Sequence, residues 1–276
     1  MVSNIVRKIA FISDLHLFSR YAMMPPSYTT KEGITFNSGP GQNAIWEYFL
    51  EFCGICNQEA VDTVCVLGDV MHGQNPIEMG TLLVSPNMDE QVEVGTFVLD
   101  KIVNDPASPI GSRKLFMIGG SGYHKGARGH NTEKDICDNL KGRWLGAIAN
   151  MCFTPSKKIF NMSHGESASF IYREMLLGRE GMFLREAQAM GKIPKIDVSI
   201  KGHWHSFVYI HEKGMHMVQL PAWITFEPSK PYLKSYGKMQ GDIGGVIITI
   251  DDKDRIRVWH FLMDNPPHIA DEVQEG

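Results

Sequence analysis

The sequence predicts a layered α/β fold, because short apolar runs of strand length alternate with longer stretches of helical apolar spacing. Several of the apolar runs stop at Asp, His or Gly residues. From residue 207 onwards the pattern changes to short β-type runs separated by turns. In open α/β sheets, functional groups gather at the carboxyl ends of the strands. We therefore expect a site at one edge of the predicted sheet.

The first predicted strand, residues 9–12, leads into Ser13, Asp14 and His16. Asp14 and His16 are two residues apart, so an extended backbone points both side chains to the same face. Residues 18–41 are polar and glycine-rich and lack a clear periodicity. We predict a long loop there that overhangs the site, since loops of this length are more often functional than idle.

The next predicted elements are a helix over residues 42–59, a strand over residues 61–67, a helix over residues 88–103 and a strand over residues 114–118. The first of these strands stops at Gly68-Asp69. The second runs into Gly119-Gly-Ser-Gly-Tyr-His124, whose glycines predict a tight, exposed turn. A further helix is predicted to begin with Thr132 as its cap and Asp135 in the capping-box position.

In the second half, a strand over residues 158–162 delivers Ser163-His164, and residues 166–190 are rich in helix formers. A strand over residues 195–200 ends in Gly202-His203-Trp204-His205. The remaining β-type runs are predicted to form a second sheet, antiparallel or mixed; they cover residues 207–210, 215–220, 245–250 and 255–261.

Length and composition predict one domain over residues 1–276, since no linker or composition shift divides the chain. The hydrophobic fraction of 43% and charged fraction of 21% are typical of soluble globular proteins. A net charge of -4 lacks the basic excess of a general nucleic-acid binder. No apolar run reaches the ~18 to 20 residues that span a bilayer, and no signal-peptide pattern is found. We expect a cytoplasmic protein without a membrane partner.

The five cysteines do not have the density of a disulfide scaffold. Cys53 and Cys56 have the spacing of a zinc or redox motif, but no second pair accompanies them and they lie in a predicted amphipathic helix. We interpret both as core residues, because buried free cysteines are common.

The predicted strand ends carry seven residues of related chemistry: Asp14, His16, Asp69, His124, His164, His203 and His205. A single histidine after a strand is usually structural, but here five of the 11 histidines occupy such positions. Carboxylate oxygen and imidazole nitrogen are ligands for Mn, Fe, Zn or Ni, and the absence of Cys argues against a structural thiolate site. The pattern predicts a metal centre.

Five short blocks of the sequence resemble, in order, the signature blocks of the calcineurin-like metallophosphoesterases; they are Asp14-x-His16, Gly68-Asp69, Gly122-Tyr123-His124, His164-Gly165 and Gly202-His203-x-His205. The blocks extend over residues 14–205. Each pair alone is a weak signal, whereas the ordered set is specific. The resemblance implies a four-layer α/β/β/α sandwich of two mixed sheets flanked by helices.

The resemblance also implies two divalent metal ions. Asp14, His16 and His205 would hold one ion, His164 and His203 the other, and Asp69 would bridge them. Mn is the expected metal, with Fe, Zn and Ni as alternatives. The nucleophile would be a metal-activated hydroxide, without a covalent enzyme intermediate. His124 matches the family histidine that protonates the leaving oxygen or steadies the phosphate.

The third block departs from the family pattern of Gly-Asn-His followed by an acidic residue. Tyr123 occupies the position of the Asn that ligates the second metal, and Lys125 follows His124. Ser121, Tyr123 or a water molecule are the candidates to complete the second site. The glycine-rich form of the block is similar to that of small stand-alone members of phage type.

Three functions are compatible with these residues. The first is a phosphoesterase acting on a phosphomonoester or phosphodiester, with nucleotides and nucleic acids among the possible substrates. The second is a nuclease of the same superfamily. The third is a binding module that kept the fold and lost the chemistry, as the retromer subunit of this fold has. Such a module is expected to lack the catalytic histidine or several ligands, whereas only the Asn is missing here, so we favour catalysis.

Weaker candidates surround this set. His72, three residues after Asp69, is expected to line the cleft, and Trp223 is expected to be a core residue rather than a stacking platform. Lys125 and Arg128 are expected to be solvent-exposed.

Overall fold

The computed structural model describes residues 4–74, 80–124, 131–165, 173–225 and 241–264. In chain order, the strands and helices are β1 (Ile5–Ile12), β2 (Ser27–Thr29), β3 (Thr35–Asn37), α1 (Pro40–Gln58), β4 (Thr63–Leu67), α2 (Met88–Val103), β5 (Lys114–Ile118), α3 (Thr132–Asn139), β6 (Arg143–Trp144), β7 (Ile148–Cys152), β8 (Ile159–Ser163), α4 (Arg173–Ala189), β9 (Val198–Lys201), β10 (Val208–Glu212), β11 (Met215–Gln219), β12 (Gly244–Asp251) and β13 (Ile256–Leu262). Lys125 and Arg128 lie outside the described residues.

Two mixed sheets contain most of the strands. The first has the spatial order β13-β12-β1-β4-β5-β6, and the second has the order β10-β11-β9-β8-β7. In the first sheet β1, β4, β5 and β6 are parallel, β12 is antiparallel to β1, and β13 is antiparallel to β12. In the second sheet β8, β9 and β11 are parallel. The carboxyl ends of the parallel strands are therefore the positions where chemistry is expected.

Apolar side chains on both faces of the first sheet explain its place inside the molecule. Along β1, Ile9 and Phe11 pack in the core shared with the second sheet, whereas Ala10 and Ile12 pack in the core shared with the helices. A strand that is covered on both faces has a continuous apolar sequence rather than an alternating one. This explains why residues 9–12 are all apolar.

Helices cover the outer faces of both sheets. Side chains of α1, α2 and α3 pack against the first sheet, with Phe49, Val98 and Ile136 buried there. On the second sheet, Leu177 of α4 packs with Met215 and Met217 of β11. The predicted four-layer α/β/β/α sandwich is confirmed.

The prediction that the whole C-terminal region forms the second sheet is wrong for half of it. The strands β10 and β11 do belong to the second sheet, but β12 and β13 join the first one. All residues of β12 are buried, and it pairs antiparallel with β1. Local alternation indicates a strand without indicating its partner, because pairing is decided by distant residues.

The segment over residues 18–41 is packed rather than overhanging. Phe18, Met23 and Met24 are buried, and the short strands β2 and β3 form a hairpin. The Phe18 ring contacts the Phe36 ring of that hairpin, edge to face, with 5.2 Å between centroids. These apolar residues have irregular spacing because they contact the core from a non-periodic backbone. For that reason no helix or strand pattern revealed them.

The expectations for the cysteines and for Trp223 are confirmed. Cys53 and Cys56 are buried in α1, and burial raises the pKa of both thiols, that of Cys56 to about 12. Trp223 is fully buried against Phe49 and Phe52. Within the described residues, no helix has both the length and the apolar character needed to cross a membrane.

Candidate metal centre

The seven residues singled out by the sequence lie at one end of the two sheets, each in a segment that follows a strand. Backbone hydrogen bonds connect two of these segments: Asp14 N–H donates to the Gly68 carbonyl (3.0 Å) and His16 N–H donates to the Asp69 carbonyl (3.0 Å). The segment after β1 therefore remains in register with the segment after β4. This pairing places the first two sequence blocks beside each other.

The carboxylate of Asp14 is fixed through one oxygen and leaves the other without a donor. Its Oδ2 accepts hydrogen bonds from Ser13 Oγ (2.6 Å) and from the His203 backbone N–H (2.8 Å). Its Oδ1 is buried and has no hydrogen-bond partner. Burial raises the pKa of this carboxyl, but nearby His164 and His205 outweigh burial and hold it well below its usual value. Asp14 is thus a buried carboxylate with an oxygen available to a cation.

Two imidazoles face that oxygen. His205 Nε2 lies 3.2 Å from Asp14 Oδ1, His16 Nε2 lies 3.7 Å from it, and the two Nε2 atoms are 3.1 Å apart. Neutral imidazole nitrogens at this distance require a proton or a cation between them. Burial, followed by the charge of His124, lowers the pKa of His16, so this imidazole is neutral and can offer a nitrogen lone pair to a cation. Metal binding by this group stays a prediction that the donor geometry supports.

A second group of donors lies beside the first and consists of Asp69, His164 and His203. His164 Nε2 is 2.8 Å from Asp69 Oδ2 and 3.3 Å from His203 Nδ1. The His164 Nδ1 atom lies 2.6 Å from the Leu67 carbonyl oxygen, which can only accept a hydrogen bond. We therefore assign a proton to Nδ1. A backbone acceptor on one ring nitrogen orients the other as the ligand, as is usual for histidines that bind metals.

The ion pair of His164 with Asp69 leads to a prediction about metal uptake. Burial lowers the pKa of His164, but the carboxylates of Asp69 and Asp14 outweigh it and raise the pKa to about 10. Metal-free protein at about pH 7 therefore carries a proton on Nε2 that a metal must displace. We expect uptake of the second metal to release close to one proton, and its affinity to rise about tenfold per pH unit in this range.

Calorimetric titration with Mn²⁺ in two buffers of different ionisation enthalpy measures this release. The His164→Gln variant should abolish it, and an unchanged release would place the proton elsewhere. The stability of the metal-free protein should depend on pH in the opposite direction to its metal affinity. A raised histidine pKa stabilises metal-free protein below the unfolded value of 6.5, and that contribution is lost as the pH rises through about 10.

His124 lies beside both groups and forms a third set of possible metal donors with His16 and His72, a set that contains no carboxylate. Its Nδ1 is 2.7 Å from the His72 carbonyl, so this nitrogen donates and Nε2 is directed toward Asp69, whose Oδ2 is 3.8 Å away. The His124 and His16 rings are 4.5 Å apart between centroids. His72 is buried, with its ring 5.4 Å from that of His124 and 5.9 Å from that of His16, so it lies beside the predicted site residues. His124 could exchange a proton or donate a hydrogen bond next to bound ligands.

The glycine-rich turn after β5 fits closely against Asp69. A side chain at Gly120 would place its Cβ 2.0 Å from Asp69 Oδ1, so only glycine is tolerated there. The next residue, Ser121, donates its backbone N–H to the same oxygen at 2.7 Å. Tyr123, in the same turn, is 54% exposed. The turn thus holds Asp69 through its backbone.

Glu133 is a site residue that the sequence did not reveal. It lies in the first turn of α3, is buried, and accepts hydrogen bonds from the backbone N–H groups of Val70 (3.0 Å) and Gly120 (2.8 Å). Burial and the charge of Asp69 raise the pKa of its carboxyl to about 7. The prediction that Thr132 caps this helix is wrong, because Asn131 is the cap. An acidic residue in a first helical turn is ordinary, so no signal distinguished Glu133.

The backbone at the donor residues is strained. Five of the six proposed ligands have positive φ; they are Asp14 (54°), His16 (44°), Asp69 (50°), His203 (76°) and His205 (55°). For residues with a Cβ atom, the left-handed region costs about 1–2 kcal/mol each. Such conformations cluster at functional sites, where the surrounding structure enforces them.

No protein-family model matches the chain, and no curated protein matches it. Solved structures do resemble it. An archaeal protein characterised as a phosphodiesterase is 14% identical, covering 92% of this chain and 99% of its own, with a TM-score of 0.43. Vps29 of Entamoeba histolytica, complexed with zinc, is 10% identical; the match covers 92% of this chain and 98% of Vps29, with a TM-score of 0.40. A predicted phosphoesterase of Streptococcus pneumoniae is 11% identical; the match covers 95% of this chain and 99% of that protein, with a TM-score of 0.37.

Identities this low say nothing about activity, so the function must be argued from this chain's own residues. Two facing mixed sheets and the meeting of the five sequence blocks at one end of them agree with the resemblance to the calcineurin-like metallophosphoesterases.

Proposed function

We propose that this chain is a metal-dependent phosphoesterase that hydrolyses a phosphomonoester or a phosphodiester at a dinuclear centre. The observation that carries the proposal is the adjacency of two donor groups: Asp14 with His16 and His205, and Asp69 with His164 and His203. His164 Nε2 connects them, because it lies 3.8 Å from Asp14 Oδ1 and 2.8 Å from Asp69 Oδ2. Two adjacent sets of this composition are suited to two metal ions rather than one.

The donor chemistry fits divalent ions of intermediate hardness. Each group combines one buried carboxylate with two imidazoles and contains no thiolate, a set that suits Mn, Fe, Zn or Ni. Mn²⁺ is our expected metal. When bound, the two ions supply Lewis-acid stabilisation of the phosphoryl oxygens and a water of lowered pKa.

The protein's contribution is to hold the ligand atoms in place before a substrate arrives. Ser13 and the His203 backbone fix Asp14. The Ser121 backbone fixes Asp69, and the Leu67 carbonyl fixes the His164 ring. Because these partners are backbone groups or buried side chains, the donors have little freedom to reorient. Such preorganisation is a main source of catalytic stabilisation.

His124 is the residue we assign to proton transfer. Its Nδ1 is committed to the His72 carbonyl, so Nε2 is the nitrogen that faces the centre. An imidazole nitrogen in this position can donate a proton to the leaving oxygen or a hydrogen bond to a phosphoryl oxygen. Both roles require the same orientation, and the His72 contact provides it.

The test is hydrolysis of bis-p-nitrophenyl phosphate and p-nitrophenyl phosphate by purified protein, with and without Mn²⁺ and after treatment with a chelator. We expect turnover that is lost on chelation and restored by Mn²⁺, with about two metals per chain by elemental analysis. Two bound metals with no turnover on either ester would contradict the proposal and favour a binding module. Cleavage of oligonucleotides without turnover of the small esters would instead indicate a nuclease.

A further inference from the structure

The second donor group lacks the neutral oxygen that the family's Asn provides. Tyr123, which occupies the corresponding position in the sequence, is 54% exposed. The proposed function therefore leaves the second metal with three protein ligands. Another oxygen on the same turn could complete the set, and the turn contains only one other side chain with an oxygen atom, that of Ser121.

The glycine turn passes directly beside the second group. A Cβ on Gly68 would lie 2.5 Å from the Cα of Gly120 and 2.8 Å from His164 Nδ1. A Cβ on Gly120 would meet the Asp69 carboxylate. The backbone that leads into Ser121 therefore lies directly against Asp69 and Gly68.

The Ser121 side chain itself is in an unusual state. Its backbone N–H donates a hydrogen bond to Asp69 Oδ1 at 2.7 Å, which fixes the position of the Ser121 backbone. Its Oγ atom is buried and has no hydrogen-bond partner, an unfavourable condition for a hydroxyl. Asp14 Oδ1 in the first group shares this condition. In both places a bound cation would provide the missing partner.

We propose that Ser121 Oγ replaces the family's Asn as a protein ligand of the second metal. A hydroxyl, like an amide oxygen, is a neutral oxygen donor, so the charge of the site is the same as with Asn. The inference rests on the dinuclear centre of the proposed function. It assigns the position within the turn that completes that centre, and it excludes the Tyr123 phenol from this role.

Two variants test the assignment by metal binding alone. In calorimetric titrations with Mn²⁺, Ser121→Ala should weaken the second equivalent by about 10- to 100-fold and leave the first unchanged. The matched control Tyr123→Phe, in the same turn, should bind both equivalents as the wild type does. Wild-type affinity for both equivalents in Ser121→Ala, or loss of the second equivalent in Tyr123→Phe, would overturn the inference.

A third variant gives a spectroscopic signature that a merely structural serine would not produce. With Ser121→Cys, Co²⁺ should give a thiolate-to-cobalt charge-transfer band that appears with the second equivalent, and the affinity should shift from Mn²⁺ toward Cd²⁺. No band, in a variant that still binds two Co²⁺, would contradict ligation by residue 121. If wild-type protein binds no metal, the proposed function fails. If it binds two metals and turns over substrate while the band is missing, only this inference fails.

Discussion

Asp69→Asn is expected to lower metal-dependent turnover by at least about 10³-fold, which corresponds to several kcal/mol of lost transition-state stabilisation. The carboxylate lies 2.8 Å from His164 Nε2 and 3.8 Å from His124 Nε2, while its other oxygen accepts the Ser121 N–H. The amide has the same shape but no charge, so it cannot neutralise two cations. In the amide, an NH₂ group replaces one of the two carboxylate oxygens. That group would face either a metal ion or the Ser121 N–H, and it can accept neither.

The measurement is the initial rate with bis-p-nitrophenyl phosphate over a range of Mn²⁺ concentrations, alongside metal content. Asp138→Asn provides a matched control, since Asp138 is an exposed carboxylate that pairs with Lys134 on the surface of α3. That variant should retain wild-type activity. Undiminished turnover in Asp69→Asn would refute the dinuclear mechanism. A thermal unfolding scan of the metal-free variant would separate loss of the site from loss of the fold.

His124→Ala is expected to lower turnover by about 10²- to 10⁴-fold, the usual contribution of a positioned acid or base. Metal content should remain at the wild-type value, because His124 belongs to neither carboxylate-containing donor group, and the set it forms with His16 and His72 contains no carboxylate. His211→Ala serves as the control, as His211 is a histidine on β10 whose ring stacks on His216. Loss of a metal ion in His124→Ala would reclassify the residue as a ligand.

The leaving group distinguishes the two roles open to His124. If the residue protonates the leaving oxygen, the loss of rate should be far larger for phenyl phosphate than for p-nitrophenyl phosphate, whose leaving group needs little protonation. If it only steadies the phosphoryl group, both substrates should lose rate equally. In either case the His72 carbonyl, as the partner of Nδ1, sets which nitrogen takes part.

The sequence predicted the proposed ligands because their signal is local. Each of Asp14, Asp69, His164 and His203 follows an apolar strand, and parallel strands bring their carboxyl ends together. The boundaries of α2 and β5 were likewise predicted from apolar spacing. Layer order followed from the resemblance rather than from periodicity.

Features that depend on distant contacts were not predicted. Glu133 contacts two loops through their backbone N–H groups, and no residue type or spacing at either loop requires a partner at position 133. The same applies to β12, whose place beside β1 is decided by pairing across most of the chain. Ser121 is intermediate: the sequence made it one of three candidates, but only the burial of its Oγ distinguishes it.

At five of the six proposed ligands, the left-handed backbone lowers the stability of the fold at a residue that the proposed metal centre needs. Glycine relieves the strain of a positive φ, and asparagine tolerates that conformation better than histidine does, so both replacements would favour the fold while removing a ligand. Selection for heat resistance without metal would therefore enrich glycine and asparagine at positions such as 16 and 203. The most thermostable variants selected in this way would therefore be ones that lack proposed metal ligands.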